Sequence, residues 1–96
     1  MSVLDFIPVG KENALSAREL ADLLHVPKRQ VTLQIERERR HGRPICARND
    51  VAAAAGYYRP KDRKELEEYL RRLNSRIVEI QTSRDGLQAA LDGWRD

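Results

Sequence analysis

The side chains in this sequence best suited to specific chemistry are cations and amides, and they cluster. Lys28, Arg29, Gln30, Thr32 and Leu33 fall within six residues of one another, and Arg37, Arg40 and Arg43 follow at intervals of three or four. A guanidinium such as Arg29 can donate two parallel hydrogen bonds to a guanine edge. The Gln30 amide can pair with adenine, and Leu33 can pack on a thymine methyl. Lys28 and Thr32 stand beside them, while Arg37, Arg40 and Arg43 suit phosphate better than bases. Farther along, Arg48 and Arg59 are placed to reach a backbone or a minor groove. The local charge agrees: residues 25–48 carry seven basic side chains against two acids, Glu36 and Glu38, whereas residues 61–96 carry eight of each sign. The net +3 and the pI near 9.4 therefore come from the middle of the chain. Glu36 argues the other way, because it lies on the same helical face as the cations.

Other chemistries find less support. His25, His41 and Cys46 are scattered, and no second cysteine gives metal-ligand spacing. There is no phosphate-binding glycine loop, no acid pair at catalytic spacing and no nucleophile elbow. The expectation is a protein that is not an enzyme and has no metal and no cofactor. One cysteine excludes an intrachain disulfide and fits a reducing compartment. The first residues, Met1 to Phe6, lack a secretory pattern, and no apolar run approaches the ~18 residues of a membrane helix. A soluble, cytoplasmic protein with no membrane partner is expected. At 96 residues and 11.1 kDa, with 41% hydrophobic and 34% charged residues, the core is small enough to need help from oligomerisation.

Helical patterns position the cations. Residues up to 15 read as a lead-in broken by Pro8 and Gly10, with Leu4, Phe6, Ile7 and Leu15 packing in extended form. Ser16-Ala17-Arg18-Glu19 has the form of a capping box, and Ala17, Leu20, Ala21 and Leu24 follow at helical spacing. This first helix stops at His25-Val26, ahead of Pro27. Pro27 is expected to open a second helix as its first residue, and Gly42 to cap its end after His41. Within that helix Val31 and Ile35 face inward and the cationic set faces out. Residues 44–48 and 56–59 then read as two strands of a hairpin, with Asn49-Asp50 and Val51–Ala55 between them. One of Tyr57 and Tyr58 is expected in the core.

After an acidic cap at Asp62, the residues Leu66, Leu70, Leu73, Ile77, Ile80, Arg84, Leu87, Leu91 and Trp94 recur at alternating spacings of four and three. Eight of those nine are apolar, a heptad seam over a helix of thirty-odd residues. Gly86 lies inside it, but the register survives across Ser83–Gly86, so one continuous helix is expected. Beyond about Ile77 the stripe outruns a small domain, and homodimerisation through Leu70, Leu73, Ile77, Ile80, Leu87, Leu91 and Trp94 is the expected way to cover it.

The order of helix, tight turn, helix, hairpin and long helix resembles the winged helix-turn-helix proteins. More narrowly it resembles the small uncharacterised winged-helix proteins of bacteriophages and prophages of low-GC bacteria. Leu15-Ser16-Ala17-Arg18-Glu19-Leu20-Ala21, Glu38-Arg39-Arg40-His41-Gly42, Pro44-Ile45-Cys46 and Gly56-Tyr57-Tyr58 carry the resemblance, which spans residues 13–80 or so. It implies a mainly α fold with a small β-hairpin: a winged helix-turn-helix domain over residues 1–60 and a long C-terminal amphipathic helix over 61–96. The chain departs from that pattern in lacking a full helix before Ser16, and the C-terminal helix is expected to occupy the vacant place. The function implied is sequence-specific binding of double-stranded DNA by a dimeric regulator or DNA-transaction accessory factor. The alternative is a winged helix that binds other proteins and no DNA.

Overall fold

Ser16 begins the regular structure because it meets two demands at once. The computed structural model, which describes residues 3–48 and 56–95, holds it extended (φ −69°, ψ 162°), ending the two-residue strand β1 (Leu15–Ser16) and capping helix α1 (Ala17–Leu24). Its Oγ accepts from Glu19 N at 3.0 Å and the Glu19 carboxylate accepts from Ser16 N at 3.1 Å, so the capping box forms as expected. His25 ends α1 in the left-handed region (φ 55°), and Val26 N reaches back to Ala21 O at 3.1 Å.

Pro27 does not take the first helical position. It is the N-cap of α2 (Lys28–Arg40), extended at ψ 146°, with its carbonyl accepting from Gln30 and Val31. The other end closes as expected around Gly42 (φ 81°). Gly42 N donates to Arg39 O and Arg43 N to Glu38 O, each at 3.0 Å, a pairing that satisfies the last carbonyls.

The chain then forms β2 (Cys46–Ala47) and β3 (Gly56–Tyr58), antiparallel with Cys46 opposite Tyr58. The expected turn at Asn49-Asp50 and the loop at Val51–Ala55 lie outside the described residues. A third strand was not legible in the sequence: β1 pairs with the other edge of β3, Ser16 opposite Gly56, giving the order β1-β3-β2. Gly56 is required there, since a Cβ would come within 2.9 Å of Ala14 Cβ. The lead-in is not extended either. It makes two 3-10 turns, Leu4–Phe6 and Lys11–Asn13, and between them Arg59 N donates to Pro8 O and Gly10 N to Arg59 O.

Two apolar clusters hold these pieces. Val3, Ile7, Leu20, Ala21, Val31, Ile35 and Ile45 pack as one, so the N-terminal turns, not the C-terminal helix, cover this side of α1 and α2. Glu38, buried at 4% exposure, anchors this segment by accepting from Val3 N at 3.2 Å. Cys46, Ala47, Tyr58 and Tyr69 form the other cluster, with Leu66 and Leu73 at its margin, and Tyr57 touches both. Tyr58 is thus the core tyrosine of the pair, and Tyr57 is half-buried.

Helix α3 (Arg63–Asp92) is a single element of 30 residues that passes through Gly86 without a break. Asp62 Oδ1 caps it at Glu65 N (2.9 Å), while the Glu65 carboxylate accepts from Lys61 N rather than from Asp62, so the box is displaced by one residue. Its first three turns dock on β2 and β3. From Asn74 to Arg95 every residue is exposed, and the molecule extends to 53 Å along its longest axis.

Candidate functional site

Because Val31, Ile35 and Glu38 turn α2 inward, its opposite arc faces solvent. Arg29, Gln30, Leu33, Arg37 and Arg40 lie on that arc and are exposed, Leu33 to 51%, and Lys28 is exposed at the helix start. Arg43, just beyond Gly42, is exposed as well. Helix α3 docks on the sheet and reaches α2 through Arg39, near its C-terminal end, so the arc stays uncovered.

Both acids of the segment are accounted for. Glu38 is withdrawn into the core, and Glu36 accepts from Arg40 Nη2 at 2.9 Å on the surface. That i,i+4 pair is the ordinary surface arrangement of such residues, and it partly neutralises Arg40. The exposed arc still carries Arg29, Arg37 and Arg40 against Glu36 alone, with Lys28 exposed at the helix start.

Three expected site residues are placed otherwise. Thr32 is half-buried and turns its hydroxyl onto Arg29 O (2.9 Å), so it serves its own helix. Arg59 is half-buried with Nε on Ile7 O at 2.8 Å, a strut between the end of β3 and the N-terminal turns rather than a wing cation. Leu73, expected in a dimer seam, packs against the molecule's own second cluster. Arg48 remains exposed at the end of β2, with its backbone tied to Gly56 O and its carbonyl accepting from Arg72.

The residues that fix α3 relative to α2 were not singled out in the sequence. Tyr69, 5% exposed, lies between two guanidiniums: Arg39 Cζ is 5.5 Å from its ring centre and Arg72 Cζ 5.3 Å. Arg39 Nη2 donates to Tyr69 Oη at 3.0 Å and its Nε to Ile45 O at 2.8 Å; Arg72 Nη2 donates to Ala47 O at 2.6 Å. Arg39 is therefore structural, unlike its neighbours Arg37 and Arg40. The signal that could have found Tyr69 is Leu66-Tyr69-Leu73, a three-four spacing on a face turned slightly from the heptad seam.

Burial pushes the Cys46 thiol up to about 11 and the Tyr58 phenol up to about 12, which keeps both protonated and inert at neutral pH. Among the described residues no three His, Cys, Asp or Glu side chains lie close enough to hold a metal ion, and no helix is long and apolar enough to cross a membrane. Comparison with known proteins gives no matching family model, no matching curated protein and no matching solved structure.

Proposed function

We propose that residues 13–80 form a winged helix-turn-helix of the phage and prophage type that the sequence resembles, and that the protein binds double-stranded DNA sequence-specifically as a dimer. In this reading α2 enters the major groove, Arg29, Gln30 and Leu33 meet base edges, and Lys28, Arg37, Arg40 and Arg43 meet phosphates. Arg48 steadies the backbone from the sheet. The biological role is that of a transcriptional regulator or DNA-transaction accessory factor.

The observation that carries the reading is the bare arc of α2, which neither α3 nor a surplus of acids obscures. The start of α2 adds to it. Pro27 supplies no side-chain cap and the first turn holds Lys28 and Arg29 with no acid. Cations at a helix N-terminus oppose the macrodipole by roughly 0.3–1 kcal/mol each, and a bound phosphate reverses that balance. A second copy covering the distal half of α3 provides the two-fold symmetry that paired half-sites need.

Selection of bound duplexes from a random pool tests binding and specificity together. Enrichment of a two-fold motif is expected. Arg29→Ala relaxes one base position in each half-site, whereas Arg40→Ala weakens all sequences alike and reduces the salt slope by about 1 per copy, roughly 2 for the dimer. A pool that emerges unenriched at low salt refutes the assignment.

A further inference from the structure

The distal stripe of α3 is more exposed than a lone soluble helix tolerates: Ile77 is 52% exposed, and Leu87 and Trp94 are each 72%. With Ile80 and Leu91 these side chains present about 600 Å² of apolar surface, so two copies would bury roughly 1,200 Å², the lower bound for a specific interface. We infer that a second copy of this chain lies antiparallel along α3, with the Trp94 of each copy seated beside Leu70 of the other. The inference rests on the dimer reading above and adds its orientation and register.

A parallel pair sets every seam residue against itself. Arg84 would then face a second Arg84 across the axis, two like charges at the middle of the seam. An antiparallel pair sets it against an apolar residue instead and offsets the two Arg84 side chains by one layer, about 6 Å along the axis, with each still able to keep Asp85, which it already holds at 2.9 Å. Of the antiparallel registers, one matches Leu70 with Trp94, Ile77 with Leu87 and Ile80 with Arg84, and lays Leu91 over the outer edge of half-buried Leu73. The register shifted by one heptad matches Ile77 with Trp94 and Ile80 with Leu91, and leaves Leu70, 48% exposed, without cover.

Two features of the fold favour the first. Between α3 and the chain that follows α2 lies a notch of about 250 Å³, lined chiefly by Pro44, Ile45, Leu66, Tyr69, Leu70 and Leu73. It has room for an indole, and it opens on the side of α3 where the seam runs. Trp94 lies two residues past the end of α3, held in the closing turn by its N–H donating to Leu91 O at 3.0 Å, and is 72% exposed. This register also brings Arg95 opposite Glu67 on the flank of the pair, joining unlike charges where the shifted register would join Arg95 to Asn74. Glu67 already holds Arg63 at 2.7 Å, so its carboxylate is exposed and ionically engaged at the point of contact.

Cross-linking of single-cysteine variants with a short bismaleimide reads the register, since Cys46 is buried. An equimolar mixture of Glu67→Cys and Arg95→Cys is expected to give a cross-linked dimer that neither variant gives alone. Trp94→Ala is expected to raise the dimer dissociation constant roughly tenfold or more, as loss of a seated aromatic anchor does. Cross-linking of Glu67→Cys with itself would mean a parallel pair. Preferential cross-linking of Asn74→Cys with Arg95→Cys would mean the shifted register. Either result overturns the inference while leaving the dimer intact. A monomer in sedimentation equilibrium at high micromolar concentration would overturn the dimer reading itself.

Discussion

Removing Tyr69 should separate α3 from the sheet, and the cost follows from what the side chain touches. A buried tyrosine removes on the order of 200 Å² from water, worth up to about 5 kcal/mol at 25 cal/mol per Å². Truncation to alanine in a core typically costs about 3–5 kcal/mol. The hydroxyl is a separate part: Tyr69→Phe keeps the ring between Arg39 and Arg72 but leaves the Arg39 Nη2 donor without its 3.0 Å acceptor. A bond to a charged donor contributes about 1.5–3 kcal/mol, and Arg39 retains Ile45 O, so about 1–2 kcal/mol is expected. For a domain of this size that is roughly 5–15 °C in Tm. Tyr69→Leu should fall between the two, keeping packing and losing both the hydroxyl and the stacking. Thermal and urea unfolding followed by circular dichroism, at one fixed protein concentration, gives the three values in order. If Tyr69→Ala and Tyr69→Leu both stay within about 0.5 kcal/mol of wild type, α3 does not dock through this face and the placement of every residue on it is wrong.

Three further outcomes are expected. Gly86→Ala should stabilise by about 1 kcal/mol, because the added Cβ meets nothing within 4 Å and alanine is the better helix former; an unchanged Tm would mean the helix breaks there. Stability should fall as pH rises from about 9 towards 11–12. The unfolded chain releases the Cys46 and Tyr58 protons near their ordinary values of 9.0 and 10.0, while the buried groups hold theirs to about 11 and about 12, and Cys46→Ala should make the fall shallower in a pH series of urea melts. Glu36→Gln should release Arg40, leave stability within about 0.5 kcal/mol and tighten duplex binding several-fold; weaker binding would mean that Glu36 itself accepts from a base.

What could be read from the sequence was what local chemistry determines. The Ser16–Glu19 box, the stop at Gly42, the inward Val31 and Ile35 and the unbroken long helix each depend on residues within one or two turns of each other. What could not be read depends on distant partners. Two-residue strands such as β1 have no periodicity of their own and exist because β3 offers an edge. Val3 and Ile7 look like any apolar lead-in until the groove beside Leu20 and Ile35 is seen to need filling. The same distinction runs through the cations: Arg37, Arg39 and Arg40 are alike in sequence, and only the arrival of Tyr69 and Ile45 beside Arg39 makes it structural. Arg59 and Thr32 are other cases, drawn off the surface by Ile7 O and by α2's own backbone. The heptad seam was legible as a pattern, but the pattern did not say that Leu66 and Leu73 would turn towards the molecule's own sheet.

The central claim is that the bare arc of α2 meets a polyanion. Fluorescence anisotropy of a selected duplex, titrated at several salt concentrations, tests it most directly. Phosphate contacts by Lys28, Arg37, Arg40, Arg43 and Arg48 give an expected slope of log K against log salt of about −4.5 for one copy and roughly −9 for a dimer. Affinity that is absent at low salt, or present but indifferent to salt, would contradict the account.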